Sequence, residues 1–133
     1  MLLRVTLRQK DALPEWSQIR QGVSSALVLT ESLRTLDRLR LHARLDDKQI
    51  AIRRETILAL VASIELVEVD FLVLERAAQP MPTVLGTLDA IHLATALMWS
   101  ETSSTKLVMA THDSALGVAA RAHGLPVVGT TTL

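Results

Sequence analysis

The sequence predicts an α/β fold, a three-layer α/β/α sandwich built on a parallel sheet. Three observations predict it. The chain ends on a short apolar strand pattern, a helix pattern and a second apolar strand joined by tight links, which in one sheet makes a parallel βαβ unit. Strand and helix patterns alternate through the rest of the chain, as they do when helices cover the faces of a sheet. Acidic residues recur just past strand ends, where open α/β sheets hold their ligands.

Each element has its own local signal. Pro14 and then Glu15 predict the first turn of a short helix over residues 14–19, since proline is tolerated there and acid suits the positive helix end. Val23 closes a short strand, and Ser24 or Ser25 caps the next helix. That helix runs to about Ala43 with Leu29, Leu33, Leu36 and Leu39 as its buried stripe. Arg34, Asp37, Arg38, Arg40 and Arg44 fall mostly off that stripe. Asp46-Asp47 starts a helix over about 48–62 with acid at its N-terminus. Ile64, Leu66 and Val69, interleaved with Glu65 and Glu68, read as a strand. A short helix then runs through Ala78, and Pro80 and Pro82 bracket a loop. The helix containing Asp89 reaches about Ser100, and 101–105 is a polar loop. Residues 107–111 form a fully buried strand pattern, 114–123 a helix, Gly124 its stop and 126–129 the last strand.

Composition narrows the function. With 133 residues, 49% of them hydrophobic, the chain is expected to be one domain (1–133) with one core. Fourteen basic residues balance fourteen acidic ones, so no overall field draws it to a polyanion, and any such binding needs a local patch. Cysteine is absent, which excludes disulfides, thiolate zinc sites and cysteine nucleophiles and fits a cytoplasmic location. Arg4, Arg8 and Lys10 interrupt any apolar leader, and no apolar stretch approaches the roughly 20 residues of a membrane span. Trp16, Phe71 and Trp99 are the only aromatics, too few and too scattered for a base-stacking platform.

The chemistry is carried by acids. Asp89 sits in the first turn of an otherwise apolar helix, and Asp113 lies where a strand turns into a helix. Glu31 lies between Leu29 and Leu33 in a helix that comes after another strand. Each has a plain alternative: Asp113 as a helix cap, Asp89 as a dipole partner beside a capping Thr87, Glu31 as a boundary residue facing water. Together, three carboxylates at element ends suit a hard cation such as Mg²⁺ or Mn²⁺, which takes oxygen ligands. Convergence without a cation would be repulsive. A metal-dependent hydrolase is the reading these residues support. His92, one turn after Asp89, is more simply a packed helical residue, and His112 should point away from Asp113. His42 and His123 read as surface residues near helix ends. No HExxH, phosphate loop, dinucleotide turn or GxSxG elbow occurs, and Ser24, Ser25 and Ser114 lack a His/Asp partnership, which argues against nucleophilic catalysis and against a flavodoxin-like ligand binder. The arginines after Glu31 are either a solvated helix face or a track for RNA phosphates or an acidic partner.

The motifs Ser24-Ser25-Ala26-Leu27 with Glu31, Leu88-Asp89-Ala90-Ile91-His92-Leu93-Ala94-Thr95-Ala96, and Thr111-His112-Asp113 with Leu116 stand in an order that resembles the PIN domain, specifically the VapC-type toxin of bacterial toxin–antitoxin pairs. The ending Ala119-Ala120-Arg121-Ala122-His123-Gly124-Leu125-Pro126-Val127 is of the same kind. The resemblance implies a parallel sheet between helices, an Mg²⁺- or Mn²⁺-dependent endoribonuclease, RNA as substrate, a cognate antitoxin and a homodimer. By position, Glu31, Asp89 and Asp113 match three of the family's acidic metal ligands, and Thr111 a polar position near them. The chain departs from the family at its start. Leu2-Leu3-Arg4 resembles the segment just after the family's opening strand and its Asp-x-Ser, so that strand and its aspartate are expected before Met1, and Asp11 is a poor substitute. An upstream start, a strand rebuilt from residues 2–7, or an inactive PIN-like module that binds an antitoxin-like partner are the three outcomes this departure leaves.

Overall fold

The computed structural model describes residues 19–42, 45–104 and 106–130. The expected 14–19 helix and the expected strand from residues 2–7 fall almost wholly outside that range. Packing groups the chain into two compact units that meet in sequence between Leu66 and Val67.

The first unit contains β1 (Val23–Ser25), α1 (Leu27–His42), α2 (Asp47–Ala62) and the start of β2 (Glu65–Val67). β1 pairs with β2, and the Glu65 amide donates to the Gly22 carbonyl at 2.9 Å. Ser25, one of the two serines expected to cap α1, ends β1, and its buried hydroxyl accepts from the Leu27 amide at 3.2 Å, at the first residue of the helix. The α1 stripe is the expected one at Leu29, Leu33 and Leu36, with Ser32 added to it. Ser32 and Leu36 are buried, while Leu29 and Leu33 are only partly covered as they pack on a cluster of Leu36, Ile57 and Val61. α2 starts where the acids predict, closed by a reciprocal capping box. Asp46 Oδ1 accepts from the Gln49 amide at 2.8 Å, and the Asp46 amide donates to Gln49 Oε1 at 3.0 Å.

The second unit contains α3 (Phe71–Ala77), α4 (Thr87–Thr102), β3 (Met109–Ala110), α5 (Ser114–Ala122) and β4 (Val127–Val128). Asp70 caps α3 through the Val73 amide at 2.9 Å. An Arg76–Glu101 ion pair at 2.7 Å ties α3 to the end of α4. α4 runs to Thr102, past the expected end near Ser100, and the Thr102 hydroxyl donates to the Met98 carbonyl at 3.0 Å in that last turn. Its Leu93 and Leu97 join Leu116, Ala119, Ala120 and Leu125 in the core of this unit.

β3 and β4 are parallel, with Met109 opposite Val127 and Ala110 opposite Val128. The Met109 amide donates to the Pro126 carbonyl at 2.8 Å and the Thr111 amide to Val128 at 3.0 Å. The expected βαβ ending is therefore present. The expectation of a fully buried strand over 107–111 is corrected: Val108 is 49% exposed, whereas Leu107 and Met109 pack on the core and Thr111 is buried. Alternating side chains of a strand face opposite ways, and here only one face meets the core. α5 ends as the glycine predicts. Gly124 takes a φ of +85°, its amide donates to the Arg121 carbonyl at 2.9 Å, and the Leu125 amide donates to the Ala120 carbonyl at 3.0 Å. That is a Schellman end sealed by Leu125 in the core.

Candidate functional site

Asp113 is built into the junction of β3 and α5. It is the N-cap of α5, and Oδ1 accepts from the Leu116 amide at 2.8 Å. Its own amide donates to Thr111 Oγ1 at 3.0 Å, and Thr111 is buried. The plain alternative for Asp113 is thus realised, and it uses one oxygen, Oδ1, of an exposed carboxylate. The residue sits past the carboxyl end of a parallel strand, as the sequence places it.

Asp89 lies in the first turn of α4 and is half-buried. Gly86, with an extended φ of −66° and ψ of 160°, holds the cap position, not Thr87, and it offers no side-chain hydrogen bond. Asp89 is accordingly the acid at the positive end of that helix. Glu31 is half-buried on α1 and belongs to the first unit, whereas Asp89 and Asp113 belong to the second. Among the described residues, no group of three or more His, Asp or Glu side chains stands close enough to hold a metal ion. The donor chemistry nonetheless suits a hard cation, which binds through one or two carboxylates and completes its shell with water or phosphate.

His92 is half-buried on α4, and His42 and His123 are exposed at helix ends, as expected. The role of His112 escaped the sequence. Its Nδ1 lies 2.6 Å from the Gly129 carbonyl oxygen, across from the end of β4. The signal that would have found it is the β3–β4 register: with Ala110 opposite Val128, residue 112 comes level with residue 130, one past Gly129.

The arginines of α1 form a solvated face. Asp37 lies 3.9 Å from Arg34 and 3.8 Å from Arg40, and Arg38 donates to Thr35 Oγ1 at 3.3 Å, all with exposed side chains. Such pairs are worth little and leave the guanidinium groups accessible. No helix among the described residues is long and apolar enough to cross a membrane.

Comparison with known proteins gives one result. A family model described as the PIN domain matches residues 7–122, which runs through both units and takes in Glu31, Asp89 and Asp113. No curated protein matches, and no solved structure does. PIN domains are three-layer α/β/α folds of nuclease type that generally use divalent metal ions, and the described helices and parallel β3–β4 pair agree with that architecture. On a match over most of its length, this chain belongs to the PIN-domain family.

Proposed function

We propose that this protein is an endoribonuclease of the VapC toxin type, hydrolysing RNA phosphodiester bonds with Mg²⁺ or Mn²⁺ and restrained in the cytoplasm by a cognate antitoxin. The observation that carries this reading is the position of Asp113, a carboxylate held past a parallel strand end within a PIN-family chain. Asp89, Asp113 and Glu31 are the residues that would hold the cation. When bound, the cation supplies a more acidic water and neutralises charge on the phosphate. Asp113 contributes a carboxylate whose direction is set by its cap and by Thr111. Asp89 contributes a second one from a helix N-terminus, where ionised acid is favoured. Arg34, Arg38 and Arg40 would meet the RNA backbone as accessible cations. A homodimer is part of the same proposal, by analogy with toxins of this type.

The test is incubation of the 133-residue chain with structured RNA and Mg²⁺ or Mn²⁺ beside an Asp89→Asn control. Cleavage that disappears in EDTA and in the control supports the reading. Cleavage that persists in Asp89→Asn, or its absence from a demonstrably folded chain, rejects it. The second reading is a non-catalytic PIN-like module that titrates an antitoxin-like partner. Partner binding by a folded chain that never cleaves RNA would select it.

A further inference from the structure

We propose that His112 is a positioning residue: by tying the β3–α5 junction to the end of β4, it fixes the direction in which Asp113 presents its carboxylate. This rests on the reading of Asp113 as a metal ligand.

The Gly129 carbonyl can only accept, so the Nδ1 atom 2.6 Å away carries the proton and donates. The bond joins the two ends of the βαβ unit just beyond the last ladder bond, from Thr111 to Val128 at 3.0 Å. The accepting end is itself held. Arg121 Nη2 donates to Thr130 Oγ1 at 2.8 Å. Gly117 lets Thr130 lie against α5, where a Cβ on the glycine would stand 3.1 Å from Thr130 Cγ2. Gly129 therefore offers a fixed carbonyl rather than a swinging one.

On the other side, Thr111 holds the Asp113 amide and Leu116 holds Oδ1, both within the same turn. Thr111 is itself tied to β4 through its amide on Val128, and His112 adds a second tie one residue closer to Asp113 and beyond the end of the ladder. The ring does this at a cost. Its Nε2 is enclosed without a hydrogen-bond partner among the described residues, a penalty that an apolar ring of similar size would escape. Space-filling alone does not account for a histidine here, whereas the donor at Nδ1 does.

The experiment compares the parent with His112→Phe, which keeps a ring but has no donor, and His112→Asn, whose amide donor falls near the place of Nδ1. His112→Ser, too short to reach Gly129, replaces the phenylalanine variant if that one does not fold. Three readouts are taken: deuterium exchange at the Leu116 amide without metal, Mn²⁺ affinity by water-proton relaxation, and RNA cleavage. In His112→Phe the Leu116 amide is expected to exchange faster, Mn²⁺ to bind about tenfold more weakly, and kcat to fall with the KM for RNA unchanged. His112→Asn should restore most of all three. Parent-like exchange and Mn²⁺ affinity in the phenylalanine variant would overturn the proposal, as would an asparagine variant no better than phenylalanine. If the parent neither binds Mn²⁺ nor cleaves RNA, the nuclease reading fails on its own, and Leu116 exchange alone decides whether His112 positions Asp113.

Discussion

Gly22 and Ile64 stand so close that a Cβ on the glycine would lie 2.5 Å from Ile64 Cγ2 and 3.2 Å from its Cβ. Both atoms sit at the branched root of the isoleucine, where no rotation of a distant tip gives relief. The same glycine accepts the Glu65 amide at 2.9 Å, so the contact belongs to the pairing of β1 with β2. Gly22→Ala is expected to destabilise the protein by about 1–3 kcal/mol through overpacking. Urea unfolding of the two forms measures it, and equal midpoints would show that the strands can part without cost.

Asp113 has a structural and a proposed chemical role, and substitution separates them. Asp113→Ala removes the acceptor for the Leu116 amide and should cost about 1 kcal/mol, whereas Asp113→Ser, another favoured cap, should cost a few tenths. Metal-dependent RNA cleavage should vanish in both. Activity that tracked stability, surviving in the serine variant, would mark Asp113 as a cap alone.

Two isoleucines of α2 give a burial contrast within one helix. Ile57 is fully buried and Ile52 is 53% exposed. Ile57→Ala should cost about 2–5 kcal/mol, since the cavity it leaves lies inside the Leu36–Val61 cluster. Ile52→Ala should stay within about 0.5 kcal/mol in the same unfolding experiment. A large loss at Ile52 would reveal a covered surface at that position.

The arginine face is tested by salt. Replacing Arg34 and Arg38 together with alanine should weaken RNA binding evenly across sequences. If both meet phosphates of single-stranded RNA, the slope of log affinity against log salt should fall by about 1.4. An unchanged slope, read from binding titrations at several salt concentrations, would remove this face from the RNA path.

Local chemistry was legible in the chain, and long-range placement was not. Asp46 and Asp113 each begin a helix through an amide a few residues on, a pattern written into adjacent positions, and Asp70, not expected as a cap, does the same. Gly124 and the parallel ending were equally readable, because turn glycine and strand spacing are short-range signals. Thr87 looked like the cap of α4 on propensity, yet Gly86 holds that position, since where a helix begins depends on where the preceding loop delivers the chain. The run over 107–111 read as wholly buried because apolarity does not say how many faces are covered, and Val108 shows that one is not. Whether Glu31 meets Asp89 and Asp113 is a matter of contacts far apart in sequence, on which residue pattern is silent. His112 belongs to the same class: its partner is set by register, not by its neighbours.

α5 is nine residues long, and helices that short do not persist alone in water. It survives because Asp113 starts it, the Gly124 turn ends it, and Leu116, Ala119 and Ala120 lie in the core. Parallel strands need a crossover to bring them side by side, and this short helix needs the core that Met109 and Val127 help to line. The segment from Met109 to Val128 should therefore assemble in a single cooperative event, with its backbone amides acquiring protection together during refolding. A lone early-protected strand or helix within it, in pulse-labelled exchange, would contradict that order of events.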